Sequence, residues 1–151
     1  MISCDSIIKE NITEELMKKR ETVWRRELPE SFKDFIKKNN GGIPTERIII
    51  KGTFFVERFF GMVSNVSESK DGVYDINYII SKNDVYMVFD EDTVGTDLIP
   101  FAQLNHDAML CLCYKNDIPS VVIWSMDGSL EFNPNVETVF ESFDAFLEAY
   151  K

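Results

Sequence analysis

Residues 28–44 read Leu28-Pro29-Glu30-Ser31-Phe32-Lys33-Asp34-Phe35-Ile36-Lys37-Lys38-Asn39-Asn40-Gly41-Gly42-Ile43-Pro44, and both ends of a helix are written into them. Pro29 suits the first helical position, where no backbone N–H is needed and φ is already helical. Phe32, Phe35 and Ile36 form an apolar stripe, and Lys37 and Lys38 stand in the last turn, where the helix dipole favours cations. Gly41 followed by Pro44 stops the helix. The stripe predicts a surface helix docked on a core that the rest of the chain must supply.

Working outward, Thr13 to Arg26 reads as an earlier helix, with Thr13 as its cap, Leu16, Val23 and Trp24 on the buried side, and Lys18-Lys19-Arg20 on the solvent face. Downstream, Arg47–Lys51 and Thr53–Val63 are rich in β-branched and aromatic residues and predict strands, the second broken near Glu57. The segment Asp75–Ser81 fits two patterns. Tyr74, Ile76, Tyr78 and Ile80 alternate as in a strand, whereas Ile76, Ile79 and Ile80 fit a helix capped by Asp75.

From Val85 onward, short strands are expected at Val85–Phe89, Leu98–Ala102, Met109–Tyr114, Ser120–Ser125 and Leu130–Phe132. Lys115-Asn116-Asp117 and Met126-Asp127-Gly128-Ser129 read as hairpin turns between them. A final helix, Ser142–Tyr150, places Phe143, Phe146, Leu147 and Tyr150 at i, i+3, i+4 and i+7. Helices first, a strand-rich middle and a closing helix describe an α+β fold, with the helices gathered over one face of a largely antiparallel sheet. No repeat, low-complexity tract or linker interrupts residues 1–151, so one domain is expected.

Composition agrees with a packed core. Hydrophobic residues are 44% and aromatics 13% of the chain, with twelve Phe, which excludes disorder. Met1 to Lys9 has neither a basic start nor an apolar run of signal-peptide length, and no later segment is apolar enough to span a bilayer. Three cysteines, Cys4, Cys111 and Cys113, make a poor disulfide framework and suit a reducing compartment. A cytoplasmic protein is the expectation.

The net charge of −10 is uneven. Through Gly52 there are eleven Lys and Arg against nine Asp and Glu, whereas from Thr53 onward there are five against seventeen. So acidic a surface repels nucleic acid and anionic membrane; it either steers a basic partner or serves solubility alone.

No catalytic set emerges. His106 is the single histidine, so a Ser/His/Asp or Cys/His site would have to be built around it; a turn histidine is the simpler reading. Cys111 and Cys113 point to one face of a strand, where burial as small hydrophobes is their ordinary fate. Asp90-Glu91-Asp92 with Gly95 fails the calcium-loop template, since position five would be Val94 and the closing position Phe101. Gly41-Gly42 ends a helix instead of opening one, so it is no phosphate loop. Trp24 and Trp124 lie in apolar periodic runs and belong in the core.

Four blocks, taken in order, resemble the SUKH superfamily, whose bacterial members are mostly immunity proteins against secreted toxins and whose fungal members regulate cell-wall assembly. The first block is Leu28-Pro29 through Gly41-Gly42. The second is Asp97-Leu98-Ile99-Pro100-Phe101-Ala102, and it leads to the third, Asp107-Ala108-Met109-Leu110-Cys111-Leu112. The fourth is Pro119 to Trp124, followed by Val139 to Leu147. Asn105 and His106 stand where the family commonly has glycines.

The resemblance implies a helix at Asp75–Ser81 and an α+β scaffold with a mixed or antiparallel sheet of about six strands. It further implies a protein-binding function with no catalytic residue, cofactor or metal. The partner would be a cognate toxin, often a nuclease or deaminase, and the alternative is a regulatory scaffold like the fungal relatives. Binding surfaces vary among members, so the resemblance assigns no contact residues. Charge places the candidates at Asp90, Glu91, Asp92 and Asp97, with Asp71, Asp75 and Asp84. A nuclease is basic where it grips phosphate, and such carboxylates would mimic its substrate.

Overall fold

The computed structural model describes residues 1–151 and begins with a short strand, β1 (Cys4–Asp5), and two helices, α1 (Glu14–Trp24) and α2 (Glu30–Lys38). Pro29 proves to be the N-cap of α2, with extended ψ of 142°, one position earlier than expected. Phe32, Phe35 and Ile36 are buried, and Gly41 follows at φ 64°. A Cβ on Gly41 would come within 2.4 Å of Ile8 Cδ1, so glycine serves both the turn and the close packing. Just before it, Asn40 accepts from Met62 N at 2.8 Å and donates to the carbonyls of Met62 and Glu10, fastening the end of α2 to two other segments.

In α1, Thr13 Oγ1 caps Leu16 N at 3.1 Å, as its position suggested. The buried face, however, is Met17, Arg20 and Trp24. Val23, expected inside, is 62% exposed, and Arg20, expected in solvent, is 5% exposed. The apolar signal in α1 is thin, so an internal ion pair sets the helix's rotation.

The chain continues through β2 (Ile43–Pro44), β3 (Ile49–Ile50), β4 (Phe54–Phe59), α3 (Ile76–Asn83), β5 (Leu98–Leu104), β6 (Ala108–Cys113), β7 (Ser120–Leu130), β8 (Asn133–Phe140) and α4 (Phe143–Ala149). Strands β3 to β8 form one antiparallel meander in sequence order, while β1 and β2 pair separately. The break anticipated near Glu57 is a register shift between Val56 and Arg58. Asp75 caps α3 by accepting from Asn77 N, and Ser142 caps α4 by accepting from Ala145 N. Segment 75–81 is therefore helical.

Two expectations fail in the later half. Val85–Phe89 is no strand: Asp84–Met87 forms a 3-10 turn, tucked against the sheet where Trp124 Nε1 donates to Tyr86 O at 2.9 Å. Met126–Ser129 is no hairpin turn either. It lies within β7 as a bulge, with Gly128 at φ 83°, and the chain reverses at Glu131–Phe132, inside the segment read as a strand. Ser129 Oγ donates to Ser125 O and accepts from Asn135 N, while Asn135 donates to Asp127 O. These bonds satisfy the bulged backbone and carry β7 and the unforeseen β8 past the Asp-Gly pair.

Strand β6 is buried along its whole length, which requires cover on both faces of the sheet. On one face, Phe140, the register partner of Val121, meets Phe146 of α4 at 5.6 Å. Phe32, Phe101 and Phe143 continue that cluster edge-to-face at 5.1–6.0 Å. On the other face lie Met109 and Trp124, covered by the 3-10 turn and α3. Helices thus gather on two faces and not on one. The sheet curls until its edges near each other: Tyr150 Oη donates to Ile49 O at 2.7 Å, and Lys51 pairs with Glu137 of β8.

Candidate functional site

Seven carboxylates were the candidates for partner contact, and the fold separates them. Asp75 is fully buried. Its two oxygens accept from both terminal nitrogens of Arg20 and from the backbone of Val63 and Asn77, each at 2.8 Å. Asp97 is 8% exposed, with Oδ1 accepting from Arg26 at 3.3 Å and Oδ2 from Phe89 N and Thr93 Oγ1. Both carboxylates spend their acceptor capacity inside the protein. Asp75 and Asp97 therefore leave the set of surface contacts, because a buried carboxylate persists only where it is paired and bonded.

Asp90, Glu91 and Asp92 remain together on an exposed turn. Asp90 Oδ1 accepts from Asp92 N at 2.9 Å, and its carbonyl accepts from Thr93 N, so the acidic tip is a locally closed Asx-type turn. Its base is moored to the end of α1: Thr96 N donates to Trp24 O at 2.9 Å, and Arg26 Nε donates to Thr96 O at 3.0 Å. Gly95 stands at φ 91°, and a Cβ there would meet Trp24 O at 2.8 Å. Asp84 is exposed at the end of α3, and Asp71 is partly exposed beside Arg58 and Lys70 in a separate groove against the N-terminal segment. Three of the seven carboxylates thus share one turn.

The other candidate groups are structural. His106 and Asp107 turn the chain between β5 and β6 with φ of 60° and 54°. They hold the left-handed geometry that glycines adopt without strain, at a cost of about 1 kcal/mol per residue. Cys111 and Cys113 are buried, and burial pushes both thiols up; Cys4 is pushed up to about 11 by burial and then by Asp5. Such thiols stay protonated at neutral pH and are poor nucleophiles. Trp24 and Trp124 are buried with their indole N–H groups bonded to Asn77 Oδ1 and Tyr86 O. No three His, Cys, Asp or Glu side chains stand together as a metal site, and no helix is long and apolar enough to cross a membrane.

One surface escaped the sequence reading altogether. Between α3 and the sheet lies a groove of about 350 Å3, floored by Met109 and Trp124 and edged by Lys82 and Met126. Its signal in the sequence was masked because Met126 fell inside a presumed turn.

A curled antiparallel meander covered on both faces, with its open chemistry confined to exposed turns and grooves, defines an α+β scaffold. The chain belongs to the SMI1/KNR4 family (SUKH-1), whose sequence model matches residues 11–149. That places it in a superfamily of immunity proteins and regulators, generally non-enzymatic proteins that bind other proteins. No curated protein and no solved structure matches the chain.

Proposed function

We propose that this protein is a non-enzymatic immunity protein of the cytoplasm that neutralises a cognate toxin, a nuclease or deaminase, by occluding it. Membership of the SUKH-1 family across residues 11–149 carries this reading. The Asp90-Glu91-Asp92 turn supports it. None of these three carboxylates forms an ion pair within the chain, while the net charge of −10 surrounds a basic partner with an attractive field. A toxin that grips phosphate is basic at its active site, and a fixed row of carboxylates competes for that site.

The test is capture of partners from lysate of the source organism at low and high salt, followed by co-expression of any captured toxin domain with and without this chain. Salt-sensitive recovery of a toxin whose lethality the chain abolishes supports the proposal. Recovery of signalling or cell-wall proteins alone moves the function to a regulatory scaffold. A captured toxin that kills equally in the presence of the chain overturns neutralisation.

A further inference from the structure

Strand β7 runs past its last partner on β6, the pair Ala108 and Ser125, and continues to Leu130 before returning as β8. The hairpin therefore projects from the sheet as an arm. Its side chains are unusual for a free projection: Met126 is 42% exposed and Leu130 62% exposed, and each is followed directly by a carboxylate, Asp127 and Glu131. The arm is tied to the adjoining face, since Phe132 N donates to Val85 O and Met126 N to Asp107 O. Beside it opens the 350 Å3 groove, where Ile79, Trp124 and Met109 supply an apolar floor. Asp84, Asp107, Asp127 and Glu131 are all exposed around this region, and none has an ion-pair partner. Lys82 is the one cation on the groove.

We infer that this face, from the groove to the arm tip, docks a Lys/Arg-bearing segment of a partner protein that seats an apolar side chain between α3 and Met126. A groove with apolar side chains at its base, Asp107 on its lining and the unpaired Asp84, Asp127 and Glu131 nearby against the one Lys82, offers an anchor site and a surrounding charge that favours a cationic segment. A second copy of this chain is a poor occupant, because it would set the same four carboxylates against themselves. The inference rests on the reading that this chain acts by binding protein, and it adds a contact face apart from the Asp90–Asp92 turn.

The test uses a displayed library of random dodecapeptides selected against the intact protein, so it does not depend on knowing the toxin. The expected result is enrichment of peptides combining Lys or Arg with Leu, Ile, Phe or Trp. Their binding should fall at least about tenfold in Met126→Lys with Leu130→Lys, and severalfold in Asp127→Asn with Glu131→Gln. It should be unchanged in Asp90→Asn with Glu91→Gln and Asp92→Asn. The charge-only pair keeps the test valid if the lysine variants lower the melting temperature. An absence of enriched peptides, enrichment of uncharged or acidic ones, or binding indifferent to both arm variants overturns the docking face. Any of these leaves toxin neutralisation to its own co-expression test.

Discussion

Arg20 and Asp75, fifty-five residues apart, face each other inside the protein through two parallel 2.8 Å hydrogen bonds, with side-chain exposures of 6% and 0%. The pair joins α1 to the cap of α3, and Arg20 also donates to Val63 O at 3.0 Å while Asp75 accepts from Val63 N. One ion pair thereby closes three segments on each other. Each partner exists inside only because the other does, since an isolated buried charge costs several kcal/mol.

Arg20→Ala or Asp75→Ala should each destabilise the fold by about 3–5 kcal/mol, because the survivor is left charged and unpaired. Arg20→Met combined with Asp75→Asn should recover part of that loss, as the asparagine keeps an acceptor for the backbone of α3 and carries no charge. Urea midpoints for Arg20→Met, Asp75→Asn and the double that combines them, treated as a mutant cycle, measure the coupling. Strictly additive losses would show that the pair is not energetically linked.

Gly95→Ala should cost about 1–3 kcal/mol through a strained left-handed backbone and a contact with the Trp24 carbonyl. The more telling readout is hydrogen exchange at Thr96 N, whose bond to Trp24 O moors the acidic turn. Faster exchange there, with the core unchanged, is the expected outcome. Unaltered exchange would mean that the turn is not held from this point.

Neutralising Asp90, Glu91 and Asp92 to Asn, Gln and Asn should slow association with a basic toxin and flatten its dependence on salt, with little change in dissociation. Stopped-flow association at several ionic strengths reads both quantities. An on-rate equal to that of the natural protein would remove the turn from the encounter surface.

The buried thiols of Cys111 and Cys113 and the half-buried thiol of Cys4 give the protein an alkaline limit. For Cys4, Cys111 and Cys113 burial is the largest cause of a raised pKa, so the folded state holds its thiol protons more tightly than the unfolded chain. Their effect on stability is absent below the ordinary thiol value of 9.0; as pH rises through it, the unfolded thiols ionise first and stability falls. Denaturant midpoints between neutral pH and about pH 10.5 should decline, and Cys111→Ala should lessen the slope. A slope unchanged by that substitution would assign the alkaline loss to other groups, Tyr114 first among them, since its hydroxyl is also raised by burial.

Much of the architecture was legible because its signals are local. Thr13, Asp75 and Ser142 cap the helices that follow them through bonds two or three residues away, and Phe32, Phe35 and Ile36 point inward because the helical period puts them together. The alternation of β6 was harder to use, since a strand covered on both faces shows a continuous apolar run, and that run was itself the sign that two faces are covered. Misreadings fell where local chemistry has two outcomes. Asp127-Gly128 suits a hairpin turn and a bulge equally well, and only the bonds from Ser129 and Asn135 select the bulge.

Charge was the least legible property, and the candidate site suffered for it. In the residue string, Asp75 and Asp97 look like Asp90 and Asp92, and Arg20 looks like Lys18 and Lys19. Burial tells them apart, and it depends on Arg20 meeting Asp75 and on Arg26 meeting Asp97 across more than fifty residues of chain. Residue order alone was enough for α1, α2, α4, most of the meander and the family resemblance, because backbone geometry and periodicity act over a few residues; α3 fitted strand and helix alike and was expected only from the resemblance. The inward charges, the rotation of α1, the projecting arm and the groove at its base came from long-range packing. Desolvation and partner geometry are properties of a folded neighbourhood, and no short stretch of sequence contains one.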